Sequence, residues 1–192
     1  MYDSLPKTCQ TLRKLYEFDE AYRREHGFGL EIAGLALDRF GWRFEICNLP
    51  LNAGVFAFTG RGDIYSIVKV KEHFGEDSPV IETDHERTWD PGLVAAPNLR
   101  EFLSVGSYSG FENRFAPEIC DRDTGWFFCA GLDGNQRAIL SDLRSQLSLE
   151  PVDPAIVCCG ERNEKVDSGV MALLEIRDEM KGLKDPFEEF DV

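Results

Sequence analysis

A chain of 192 residues, 43% hydrophobic and 29% charged, can bury about 70% of its unfolded surface and needs neither disulfides nor a metal to stay folded. Its 35 acidic against 21 basic side chains leave a formal net charge of −14. That balance disfavours nucleic acid and anionic membrane as partners and favours steered encounter with basic proteins, although acidity also serves plain solubility.

No apolar stretch approaches the roughly 18 residues of a membrane span. The opening Met1–Pro6 lacks the basic-then-apolar order of a signal peptide. The cysteines are Cys9, Cys47, Cys120, Cys129, Cys158 and Cys159, with no C-x-x-C or zinc spacing among them. Scattered thiols of this kind read as reduced, partly buried small hydrophobes, and the expected compartment is cytoplasmic.

In chain order, Asp3 or Ser4 can cap a helix with Pro6 in its first turn. Leu5, Cys9, Leu12, Leu15 or Tyr16, and Tyr22 then recur at helical spacing up to Gly27. Leu30, Ala33, Leu37 and Phe40 predict a second short helix, weakened by Gly34. From Trp42 the period becomes two, with Trp42, Phe44 and Ile46 on one side of a strand. Val55–Thr59 and Ile64–Val70 flank Gly60-Arg61-Gly62-Asp63 and predict an antiparallel hairpin in which both glycines supply positive φ and Asp63 bonds local N–H groups. Pro79–Thr83 reads as the next strand. Asn98-Leu99-Arg100-Glu101 has capping-box spacing and opens a helix expected to stop at Gly106. Residues 107–131 carry no clear pattern. Ile139, Leu143 and Leu147 predict a helix ended by Pro151; Val166, Val170, Leu173 or Leu174, and Met180 predict a last one ending near Gly182. The fold class is α+β: one domain with a central, largely antiparallel sheet and flanking helices. Residues 1–106 form its core and 107–192 a helical extension packed on the same domain, with an acidic tail.

Acid is unevenly spread. Residues 72–90 hold seven acids against Arg87, and residues 175–192 hold seven against three bases. The most acidic exposed candidates for contacting a partner are Glu72, Glu76, Asp77, Asp84, Glu86 and Asp90. Trp89 is a candidate aromatic anchor and equally a candidate core residue.

Catalytic patterns are missing. Gly106-Ser107-Tyr108-Ser109-Gly110 places Tyr108 where a hydrolase elbow needs serine. His26, His73 and His85 have no spacing that links them to a cysteine or to a metal motif. Gly60–Asp63 is followed by a strand pattern and lacks the G-K-[ST] of a phosphate loop. The chain therefore reads as non-enzymatic, with no cofactor and no metal. The alternative from another class is a small metal-dependent hydrolase using the 72–90 carboxylates with His73 and His85.

Five segments in order, Phe44–Asn52, Phe56–Gly60, Gly62–Ser66, Ser78–Ile81 and Val94–Leu103, resemble the SUKH superfamily, which includes the Smi/Knr-type cell-wall regulators. Members of that kind carry a Pro-containing segment, F-A-x-T-G-G-D-G, a strand, an S-P-V-like strand and a V-A-x-N-L-R-E-F-L helix. The resemblance covers about residues 42–106, and the chain departs from it at Gly60–Asp63, where Arg61 separates the two glycines. It implies an α+β fold and a protein-binding role. Many bacterial members resemble immunity proteins that block a toxin by direct contact; others look like regulatory scaffolds.

Overall fold

The computed structural model describes residues 8–38, 49–84, 92–111, 120–121, 126–127, 131–150, 170 and 172–175. Helix α1 spans Gln10–His26 and buries Leu12, Leu15, Tyr16 and Tyr22 of the expected apolar stripe, and Phe18 in addition. It ends where Gly27 turns left-handed (φ 82°) and returns its N–H to the Arg23 carbonyl. Its N-cap is Cys9; Asp3, Ser4 and Pro6 lie outside the described residues.

The second helix expected from Leu30 to Phe40 is only a 3-10 turn, Leu30–Ala33. Gly34 at φ 87° breaks it, and Leu37 joins strand β1, Ala36–Leu37, instead. This turn is bolted to α1 by a half-buried polar network. Asp19, 2% exposed, accepts from Leu30 N–H at 2.7 Å and from Arg23 Nε at 3.1 Å. Arg23 in turn donates to both oxygens of Glu31. Burial works against both charges; Asp19 and Glu31 nonetheless raise the Arg23 pKa, and main-chain N–H groups of Gly29 and Glu31, with Arg23 after them, lower that of Glu31.

The predicted hairpin is present as β2, Ala53–Phe58, and β3, Ile64–Val68. Its loop departs in detail from the expectation, because Gly62 alone of the two glycines has positive φ (95°). The Thr59 hydroxyl accepts from Arg61 and Asp63 N–H, and it donates to the Asp63 carboxylate, which also pairs with Arg61. The Pro79–Thr83 strand is β4, Val80–Thr83, and an unpredicted β5, Leu93–Ala96, follows. All neighbours are antiparallel, in the order β1-β2-β3-β4-β5. The strand expected around Trp42–Ile46 lies outside the described residues.

Strand β2 carries an irregularity between Val55 and Ala57, where Phe56 has no partner in the ladder. The extra residue lets Phe56 and Ala57 both face the helices. Tyr65, Ile67, Val80 and Ala96 share that face and pack with α1, α2 and α3. The opposite face shows Val55, Ile64, Val68 and Ile81, covered by Leu49, Val170 and Leu174 among others.

Helix α2 spans Leu99–Ser109. The Asn98 side chain accepts from Glu101 N–H at 2.9 Å, whereas the Glu101 carboxylate meets the Asn98 side-chain amide and not its main chain. One half of the capping box is therefore formed. The helix does not stop at Gly106 as expected; it continues to Gly110. Gly106 serves packing, since a Cβ there would lie inside the Phe111 ring. Phe102 sits at the centre of the same contact, edge-on to Tyr65 (4.8 Å) and Phe56 (5.7 Å) and 5.5 Å from Phe111. Such pairs contribute about 0.5–1.5 kcal/mol each beyond their burial.

Short strands β6, Cys120–Asp121, and β7, Trp126–Phe127, pair antiparallel. Helix α3, Gly134–Leu147, buries Ile139, Leu143 and Leu147 as expected, begins with a complete capping box from Asp133 and Gln136, and ends at Ser148 (φ 49°), before Pro151. The last predicted helix does not run through 172–175: Leu173 N–H closes a turn on Val170 O at 2.8 Å and the chain then leaves helical geometry. The cause is a competing partner, because Asn52 takes the Leu173 carbonyl and Glu175 N–H that a helix would use. The described residues form an α+β domain with α1, α2 and α3 on one face of an antiparallel sheet.

Replacing Gly106 with Ala must displace the Phe111 ring and is expected to cost about 1–3 kcal/mol. Gly134→Ala, where a Cβ meets nothing within 4 Å, is expected to be neutral or mildly stabilising. Urea denaturation of both variants checks the contrast.

Candidate protein-binding surface

The four predicted contact residues that are described do not form one patch. Glu72, Glu76 and Asp77 lie in the β3–β4 connection, beside the start of β4. Asp84 follows Thr83, whose ladder partner is Ile64, so it sits at the other end of the sheet beside the 59–63 loop. The strand between spans about 10 Å at the usual rise. Glu86, Trp89 and Asp90 lie outside the described residues.

Glu76 is committed to the fold. Its carboxylate accepts from Thr11 N–H at 2.9 Å and from the Thr11 hydroxyl at 2.5 Å. The Cys9 side chain makes no cap hydrogen bond, so a carboxylate 65 residues away satisfies an orphan donor and complements the positive end of α1. Thr8 donates to the Phe74 carbonyl, which holds the connection against the same helix end. Cys9 itself is fully buried. Burial pushes its thiol up to about 11 from 9.0, opposed by the nearby Leu12 main-chain N–H and reinforced by the nearby Glu76 charge. A thiol so protonated is a poor nucleophile.

Glu72 is exposed at the tip of a two-residue hairpin. Val70 and His73 exchange both main-chain hydrogen bonds, at 3.0 and 3.2 Å. The two residues between them, Lys71 (φ 49°) and Glu72 (φ 70°), both have positive φ. That sign pattern favours Asn-Gly, and a side chain there costs about 1–2 kcal/mol per residue. Asp77 is exposed in the next turn, where Ser78 N–H reaches Gly75 O and Gly75 N–H reaches the Ser78 hydroxyl.

The same end of the sheet brings in residues that no local pattern singles out. Asn52, 6% exposed, donates to the Leu173 carbonyl at 2.7 Å and accepts from Glu175 N–H at 3.0 Å. Leu51 N–H reaches the Glu175 carbonyl at 2.9 Å, and Lys69 N–H reaches the Asn52 carbonyl at 2.9 Å. These bonds tie residues 51–52, the β3–β4 connection and residues 172–175 into one surface. Leu51 and Leu173 are exposed on it by 59% and 42%, with Glu175 also exposed.

His73 is exposed beside Glu72, and His85 lies outside the described residues. Among the described residues no three His, Cys, Asp or Glu side chains are grouped to hold a metal ion, and no helix is long and apolar enough to cross a membrane. No family model, curated protein or solved structure matches the chain.

Glu76→Ala is expected to cost about 1 kcal/mol, as loss of an N-cap does. Thr11→Val, which keeps the main-chain bond, should cost less; thermal unfolding of both distinguishes them. Cys9 should resist alkylation at pH 8 in the folded protein and react once it is unfolded, as mass spectrometry of the modified peptide would show. Its folded pKa exceeds its unfolded one, so between pH 9 and about 11 the unfolded state binds fewer protons and stability falls as pH rises. Cys9→Ala should lack that part of the alkaline loss.

Proposed function

We propose that this chain is a cytoplasmic, non-catalytic binding protein of SUKH type that neutralises a toxin by direct contact. The observation that carries the reading is the charge: a net −14, with Glu72, Asp77 and Glu175 exposed at one end of the sheet. A field of that sign accelerates encounter with a basic protein and discriminates against acidic ones. Toxins that act on nucleic acid are basic for their own reasons, so their surfaces fit this field. The resemblance over residues 42–106 supports the same reading, since its strand, S-P-V-like strand and helix correspond in order to β3, β4 and α2.

Co-expression with the products of genes adjacent to its own tests the proposal. Protection from a toxic neighbour is expected, with a purified complex whose association rate drops by about tenfold or more between low and high salt. Absence of both protection and complex with every neighbour would contradict it. A stable complex with a harmless neighbour would replace neutralisation with a regulatory or scaffolding role.

A further inference from the structure

We infer that Leu51 and Leu173 form the apolar centre of a docking surface for a basic amphipathic segment of a partner protein; the inference rests on the binding role proposed above and names its site. Three large hydrophobic residues are exposed among the described residues: Leu51, Leu93 and Leu173. Leu93 stands apart at the start of the edge strand, where it pairs with Glu82. Leu51 and Leu173 are far apart in sequence, yet residues 51–52 are held against 173–175 by the Asn52 amide, which bonds the Leu173 carbonyl and Glu175 N–H, and by Leu51 N–H on the Glu175 carbonyl.

Asn52 is nearly inaccessible, so the two leucines are presented by a fixed framework. The neighbouring side chains select the occupant. Glu175 lies beside Leu173, and Glu72 and Asp77 stand on the connection joined to Asn52 through Lys69 N–H. Against these acids stand Lys71, which is exposed, and Lys69, whose ammonium lies over the Phe74 ring. Among the described residues three acids thus stand against two bases around the apolar centre, which matches a helix that carries leucine-like anchors on one face and Lys or Arg on its flanks. The Lys71–Glu72 tip keeps side chains at positive φ where glycine fits best, which places a charged pair at the edge of this surface.

The probe is a synthetic Leu/Lys peptide with leucines at i, i+3, i+4 and i+7, compared with a scrambled peptide of the same composition, each titrated into the full chain by calorimetry. The amphipathic peptide should bind more tightly than the scrambled one. The double variant Leu51→Ser/Leu173→Ser should weaken it by about tenfold or more, while Leu93→Ser leaves it unchanged. Glu72→Lys/Glu175→Lys, which alters only exposed side chains, should weaken binding and flatten its salt dependence. Equal binding of the two peptides, or unchanged binding by Leu51→Ser/Leu173→Ser, would overturn the inference. The toxin assay separates the two claims. Protection that survives Leu51→Ser/Leu173→Ser removes this surface and leaves neutralisation standing. Leucine-dependent peptide binding without any protected toxin removes neutralisation and leaves the surface.

Discussion

The packing of Phe111 against Gly106 closes a ring of aromatic side chains that joins the sheet to its helices. Phe102 from α2 meets Tyr65 from β3 and Phe56 from the β2 irregularity, and Phe111 folds back beneath them in space that only a glycine leaves open. The Tyr65 hydroxyl then donates to the Phe111 carbonyl at 2.8 Å, and Phe111 N–H reaches the Ala33 carbonyl at 2.9 Å. One residue thus links β3, α2 and the 3-10 turn after α1. Gln136 extends the link to α3 through the Ile32 carbonyl at 2.6 Å. With every large ring buried, the junction is dense enough that small volume changes are felt throughout.

Because this junction fixes the helices over one face, their ends fall together at the end of the sheet where β2 begins and β3 leaves. There the polar groups of helix termini are satisfied from other parts of the chain. Glu76 serves the first turn of α1, and Arg100 donates to the Ser148 carbonyl at the end of α3. Asn52 does the same work for a stretch that is not helical at all. The consequence for function is a division of labour among acids that look alike in sequence. Glu76 holds the fold, whereas Glu72, Asp77 and Glu175 present charge to solvent at the end of the sheet that also exposes Leu51 and Leu173.

Features decided by a few adjacent residues were readable in the sequence. The β2–β3 hairpin follows from two β-rich runs around a short loop, α1 ends at Gly27 because a left-handed residue is needed there, and Asn98 opens α2 through its own side chain. Features decided by distant contacts were not. Gly106 looks like a helix terminator until Phe111 is seen to occupy its missing side chain. Val170 to Leu174 has helical spacing, but Asn52 captures the main-chain groups that would continue the helix. Strand β5 is a short apolar run without alternation and becomes a strand only by pairing with β4. The candidate site behaved alike: the acidic segment was visible as composition, while its separation into two ends of the sheet, the commitment of Glu76 and the pinning of Leu51 beside Leu173 all depend on register and long-range hydrogen bonds.

The central claim is that the sheet end organised by Asn52 is the face this protein offers to a partner. Hydrogen–deuterium exchange on the full chain, alone and with a protein captured from its genetic neighbourhood, tests it most directly. Slowed exchange on binding at residues 49–52, 69–77 and 172–175 is the result expected here, with the 59–63 loop unchanged. Protection confined to the 59–63 loop or to the turn after α1 would contradict it.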